Sequence, residues 1–372
     1  MLRTACKNII LPAAFIFGLV SISLSQTASP TPKPKEDDEI IKVESRLVVV
    51  PVSVTDAAGQ AVAGLTAQDF RISEEGRTQN IESVGNADAV PLEIALLFDI
   101  SASTDKMFKF EQETAAKFLQ DVMRANDRAT VFAIGSKVQL IAPRDTAERA
   151  AAAVRSIVPT KDSTAFFDTV GDAAEYLRKN ARDGTRRIIL VISDGEDTNS
   201  SQIAKAIQDG YKKIGEKINT IDNKTLYQLT VVNRNDASKQ ERLRVLRSLQ
   251  NADTVFYSIN PAGSSFQLNK MSVFGQENMQ KFAEETGGTA FLPKFQPIDT
   301  KDNYQNTIST RKNSQLLDRI FLQLANELRS QYLIQYYSES DFPLNKFVKL
   351  DVGMSTRSGL RIRSRQGYYV KN

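Results

Sequence analysis

Leu92-Glu93-Ile94-Ala95-Leu96-Leu97-Phe98-Asp99-Ile100-Ser101-Ala102-Ser103 decides the fold of this chain. The apolar run from Ile94 to Phe98 stops abruptly at Asp99, and Ser101 and Ser103 follow at every second position. Such a run reads as a strand buried on both faces, as in the middle of a parallel sheet. The loop beyond it carries one carboxylate and two hydroxyls, and open α/β sheets place their ligand sites just past the C-terminal ends of strands. These are hard oxygen donors, suited to Mg²⁺, Mn²⁺ or Ca²⁺.

On either side of this stretch, residues 93–292 alternate between strand and helix patterns, the mark of a parallel sheet covered on both faces. Phe108 to Met123 predicts an amphipathic helix, and Ala129 to Ile134 a second strand. Gly135-Ser136-Lys137 turns straight into Val138 to Ile141, a connection so short that it requires an antiparallel edge strand. Helices are predicted over 146–157 and 166–180, strands over 187–193, 255–259 and 289–292, and a helix over 277–285. Residues 200–239 fit the rhythm poorly and read as an insertion, with a helix near 201–218 and a strand-like Leu226 to Val232.

The chain ends follow a different pattern. Val48, Val50, Val52 and Val54 alternate with outward residues, and 70–84 reads as two further short strands. After a periodic helix over 315–330, alternation returns at 332–337, 347–354, 360–364 and 368–370. Each set is too small to bury a core alone. The predicted architecture is therefore a doubly wound, mostly parallel α/β sheet with one antiparallel edge strand, inserted in a small all-β sandwich formed by the two chain ends. In residue terms this gives a β segment over 40–88, the α/β domain over 89–297, a linker and helix over 298–330, and a second β segment over 331–372.

Arg3 and Lys7 precede an apolar run from Ile9 to Leu24, closed by Ser23-Leu24-Ser25. The run is shorter than the roughly 20 residues of a membrane span, so a signal peptide over 1–25, cleaved after Ser25, is expected. An uncleaved anchor is the alternative. The Pro-rich, charged stretch 26–39 reads as a linker. The protein is thus expected to be secreted or periplasmic, without a membrane span once mature. Its net charge of +4 is small and evenly spread, which argues against nucleic acid as a partner.

Chemistry is constrained by what is missing. The chain has no His, and its one Cys is Cys6. That excludes Ser-His and Cys-His nucleophiles and His/Cys zinc sites. Three loops at strand ends remain: Asp99-x-Ser101-x-Ser103, Asp162 to Asp168 around Thr164, and Ser193-Asp194-Gly195. Together they offer Asp99, Ser101, Ser103, Thr164 and Asp194 as oxygen donors on one sheet edge. Glu196, Asp197 and Asp168 are the carboxylates that a hydrolytic reading would need as a base, and all three also read as turn or helix-start residues.

Asp-x-Ser-x-Ser after the first strand, a Thr in a middle loop and Asp-Gly after a later strand resemble the metal-ion-dependent adhesion site of von Willebrand factor type A domains. The resemblance covers about residues 89–297. It extends to the bacterial VWFA-related proteins through Gly64-Leu65-Thr66-Ala67-Gln68-Asp69-Phe70, Gln331-Tyr332 and Arg365-Gln366-Gly367-Tyr368. What it implies is direct coordination of the cation by the Ser and Thr hydroxyls, carboxylates acting through water, and an open position for an Asp or Glu from a protein partner. The expectation is a non-enzymatic, divalent-cation-dependent adhesion module. The alternatives are an envelope scaffold whose metal only orders the loops and, less favoured, a metal-dependent hydrolase.

Overall fold

A computed structural model describes residues 46–101, 106–160, 162–215, 220–261, 270–298, 300–355 and 359–371. The expected signal peptide, the Pro-rich linker and Ser103 lie outside the described residues. The chain divides into Met1–Lys42 and Val43–Asn372, and the second unit holds every described residue.

Four strands come first: β1 (Arg46–Thr55), β2 (Phe70–Glu74), β3 (Arg77–Gln79) and β4 (Ile81–Asn86). Next is β5 (Leu92–Asp99), in which every residue is buried. It is followed by α1 (Lys106–Val122), β6 (Arg128–Ile134), β7 (Val138–Asp145), α2 (Ala147–Ser156), α3 (Phe166–Asn180) and β8 (Arg186–Ile192). A helical pair, α4 (Ser201–Ile214) and α5 (Asn223–Asn251), precedes β9 (Thr254–Ile259), α6 (Lys270–Thr286) and β10 (Ala290–Phe291). The long helix α7 (Asn303–Ser330) leads into β11 (Tyr332–Ser338), β12 (Phe347–Met354), β13 (Arg361–Ser364) and β14 (Gly367–Tyr369).

Six strands form one sheet in the order β10-β9-β8-β5-β6-β7. All its pairings are parallel except β6 with β7, which is antiparallel as the short turn requires. Strand alternation then divides the core. Ile94, Leu96 and Phe98 of β5 pack with α1, α2 and α7. Ala95 and Leu97 face the other way, toward α3, α5 and α6. Each such leucine contributes roughly 1.5–3 kcal/mol by leaving water, so the central strand is held rigidly from both faces.

Strands from the two chain ends interleave into two antiparallel sheets, β13-β1-β11-β4 and β14-β12-β2-β3. Val48, Val50, Val52 and Val54 of β1 meet Phe70, Ile72, Val348 and Leu350 of the facing sheet in one core. A buried polar network at the end of α7 fastens this sandwich to the six-stranded sheet. Glu327 accepts hydrogen bonds from Ser53 of β1, Tyr257 of β9 and Thr289, and pairs with Arg363 of β13 at 2.7 Å. Gln331 donates to Ser53 and Tyr257, each at 3.0 Å, and accepts from Arg186.

Two expectations need correction. Leu226 to Val232 is not a strand but lies inside the 29-residue helix α5. Its β-branched residues disfavour helix by only a few tenths of a kcal/mol each. Against that stand the Asp222 cap on the Thr225 amide at 2.9 Å and the burial of Val245, Leu246, Leu249 and Ala252 further along. The predicted helix over 315–330 in fact begins at Asn303. Its first turns bury Asn306, Ser309 and Asn313, which no apolar period would reveal. Asn313 exchanges hydrogen bonds with the Gln296 backbone, and Asn306 with Thr300. Among the described residues no helix is long and apolar enough to cross a membrane.

Candidate metal centre

Register places the candidate residues side by side. Phe98 of β5 pairs with Ile192 of β8, so the chain leaves both strands at the same level, with Asp99 beside Ser193 and Asp194 one residue on. Asp99 is 8% exposed. One of its oxygens accepts from the Ser101 amide at 2.9 Å and the Ser101 hydroxyl at 2.6 Å. The other accepts from the Ser193 hydroxyl at 2.5 Å. Ser101 therefore spends its proton on Asp99 and keeps oxygen lone pairs for another group. Ser193 in turn accepts from the Gly195 amide at 3.0 Å, and Asp194 closes its own turn by accepting from the Glu196 amide at 2.9 Å.

Thr164 enters through its backbone. Its amide donates to Thr198 Oγ1 at 2.8 Å, and its carbonyl accepts from the Thr198 and Asn199 amides, both at 2.9 Å. The same loop reaches β5 through a Thr160 amide to Ile100 carbonyl bond at 2.6 Å, and the β6–β7 turn through Ala165 to Gly135 at 2.7 Å. Thr164 is buried, and its hydroxyl makes no hydrogen bond among the described residues. The structure thus brings Asp99, Ser101, Thr164 and Asp194 to one edge, on three loops bonded to one another.

Electrostatics at this edge are unbalanced. Burial raises the Asp194 carboxyl to about 6, with the Asp99 and Glu196 charges adding to the effect. Burial likewise raises Asp99, against the Ser101 and Ser193 hydrogen bonds that favour its charged form. No Lys or Arg pairs with either aspartate among the described residues. A buried Asp99 and a half-buried Asp194 without a cationic side chain among the described residues, beside uncommitted hydroxyl oxygens, are a donor set that fits a hard divalent cation. Among the described residues no three carboxylates stand close enough to hold a metal ion alone, so a cation here must lean on the hydroxyls.

The other acidic residues are already engaged. Asp197 accepts from the Phe167 amide at 2.9 Å at the start of α3, and from Asn199 and the Ser200 amide and hydroxyl. Asp168 accepts from the Ser201 amide and hydroxyl, both at 2.7 Å, and so caps α4. Glu196 accepts from the Ser272 hydroxyl on α6. These are positioning contacts that set the loops. Ser193 and Gly275 were not anticipated as parts of the site. Gly195 has φ +77°, and an added Cβ would sit 2.6 Å from the Gly275 carbonyl oxygen. A Cβ on Gly275 would sit 2.5 Å from the Gly195 carbonyl carbon. The backbones of the Asp-Gly turn and α6 therefore touch, and Gly195 is legible as the turn glycine while its partner in α6 is not.

An open, mostly parallel sheet with Asp99, Ser101, Thr164 and Asp194 gathered on loops at one edge is the arrangement expected of an α/β domain with a metal-ion-dependent adhesion site. Over residues 94–196 the chain is similar to the von Willebrand factor type A domain, whose family model these residues match. No curated protein matches it. Among solved structures it is similar to an aerotolerance-related membrane protein from Bacteroides fragilis, at 15% identity and a TM-score of 0.33, covering 60% of this chain and 99% of that one. BatB from Bacteroides thetaiotaomicron is similar at 14% identity and a TM-score of 0.32, covering 60% and 99%. Proximal thread matrix protein 1 from the mussel byssus, with a zinc-occupied MIDAS motif, is similar at 12% identity and a TM-score of 0.38, covering 69% and 50%. At these scores the likenesses carry no weight on function.

Proposed function

We propose that the chain is an extracytoplasmic binding module that docks a protein partner through a divalent cation. VWA domains are generally protein-interaction modules without catalytic activity. Ser101, Ser103 and Thr164 would hold Mg²⁺, or Mn²⁺ or Ca²⁺, by their hydroxyl oxygens, with Asp99 and Asp194 behind them. A partner's Asp or Glu completes the coordination, because few direct negative ligands leave the ion electrophilic. The observation that carries this reading is the Asp99–Ser101–Ser193 hydrogen-bond set beside Asp194, a buried and a half-buried carboxylate with no cationic side chain on them among the described residues. A docking role is favoured over hydrolysis because, of the acids a base would come from, Asp168 and Asp197 are spent on helix amides and Glu196 holds the Ser272 hydroxyl of α6.

The test is capture of proteins from a cell-envelope extract by immobilised protein, with Mg²⁺ or with excess chelator, alongside Asp99→Ala. The expected result is a partner held in Mg²⁺, released by chelator and not held by the variant. Equal capture under all three conditions overturns the proposal.

A further inference from the structure

A cleft of about 520 Å³ lies at the seam between the sandwich and the six-stranded sheet. Arg186 and Arg187, which line it, stand at the N-terminal end of β8, whereas the metal centre follows its C-terminal end. At 3.3 Å per residue the two sites are about 20 Å apart along that strand.

The lining is strongly one-sided in charge. Arg46, Arg186, Arg187, Arg365 and Lys371 line it, with Asp253 as the only carboxylate among the described residues. Five cations against one acid leave an excess of four positive charges, as much as the whole chain carries. Asp253 is already shared between Arg365, at 3.0 Å, and Lys371. The Nε atoms of Arg186, Arg187 and Arg365 are buried without a hydrogen-bond partner. Arg186 is 7% exposed and already donates to the Leu328 carbonyl and to Gln331, so it adds positive charge to the wall of the cleft rather than a free donor.

The cleft also has an open strand edge. Sheet neighbour β13 pairs with β1 only over Val52–Thr55, leaving Arg46–Pro51 with no strand on that side among the described residues. The Val49 carbonyl points there, because it accepts from Arg365 at 2.8 Å. Leu47 and Pro51 share its direction by the period of two. Pro51 has no N–H to leave unpaired, which is how a proline is tolerated in an edge strand. Leu47 and Val49 are 48% and 37% exposed, beside Leu333 and Val90.

We propose that this cleft is a second binding site, which takes an extended acidic segment of a partner polypeptide. The segment lies along the Leu47–Val49 edge with backbone hydrogen bonds, sets apolar side chains on Leu47 and Val49, and directs carboxylates to Arg46, Arg187 and Lys371. An extended peptide fits better than a small anion, because six residues of open edge run about 17 Å and the lining mixes apolar with cationic groups. Strand addition of this kind draws affinity from the main chain and specificity from alternate side chains.

The test uses a fluorescently labelled six-residue peptide alternating valine and glutamate, titrated into the full chain in excess chelator so that the metal centre cannot contribute. Saturable binding is expected, unchanged by Asp99→Ala and weakened by rising ionic strength. The double variant Arg46→Glu with Lys371→Glu should weaken it about tenfold or more. Neither residue belongs to the buried core, and circular dichroism verifies the fold. Arg187→Gln provides an independent variant on the sheet side, expected to weaken binding as well. The proposal is overturned by absent saturation, by equal affinity for a valine–lysine peptide, or by full competition from free glutamate at equal concentration. Affinity unchanged in the double variant, or lost in Asp99→Ala, also overturns it. Because the site is read without metal, failure here leaves the metal-centre reading untouched, and the reverse holds as well.

Discussion

Removing the charge of Asp194 should stabilise the metal-free protein, by an amount that grows with pH. Its carboxyl is raised to about 6 from an ordinary 3.8, chiefly by burial. A carboxyl whose folded value is raised favours folding in its protonated form. Its contribution is therefore fully present below about 3.8 and is lost as pH rises through about 6. The difference of roughly two pH units corresponds to at most about 3 kcal/mol. Asp194 keeps some exposure, so solvent screening reduces this to about 1–2 kcal/mol. Asp99 shifts in the same direction. The assay is urea unfolding in chelator from pH 4 to 7.5, comparing the wild type with Asp194→Asn. Taking the difference between the two cancels carboxylates shifted the other way, such as Glu175, which is lowered to about 2 by Arg178 and Lys179. The variant should gain on the wild type as pH rises and level off above about 6. Saturating Mg²⁺ should abolish or reverse that gain, because only the wild type keeps both aspartates. A difference that stays flat with pH, or a variant less stable at pH 7 without metal, refutes the reasoning.

Gly275→Ala should cost about 1–3 kcal/mol and lower cation affinity, since its Cβ would press on the Gly195 backbone; thermal unfolding and Mn²⁺ titration measure both. Asp197→Ala should cost about 1–2 kcal/mol, because it frees the Phe167 and Ser200 amides, and amide exchange at the start of α3 should rise. Glu327→Ala should cost about 3 kcal/mol or more. It strands Arg363 and leaves Ser53, Tyr257 and Thr289 without their acceptor, and urea midpoints report the loss.

Much of this architecture is legible in the residues. Ile94 to Phe98 could be read as a buried strand because its apolar run has no polar face, and the structure buries all of β5. The Gly135-Ser136-Lys137 turn announced the antiparallel edge because no crossover fits so short a connection. Asp99, Ser101 and Asp194 stood out because each follows a strand end, and Thr164, in the loop between α2 and α3, because it completes the pattern that the resemblance implies. Features that rest on contacts distant in sequence were not legible. The helical state of Leu226 to Val232 depends on the anchoring of α5 some turns later, and the first half of α7 on asparagines satisfied by a preceding loop. Gly275 reads as an ordinary helical residue until Gly195 lies against it. The five cations of the cleft come from β1, β8 and the C-terminal strands, and only the fold gathers them.

Cation binding at the sheet edge is the claim on which the rest turns, and titrating Mn²⁺ into the wild type and Asp99→Ala, with bound ion followed by electron paramagnetic resonance, tests it most directly. The account predicts one saturable ion per chain in the wild type, displaced by Mg²⁺, and none in the variant despite an unchanged circular dichroism spectrum. Equal binding by both proteins, or none by the wild type, contradicts it.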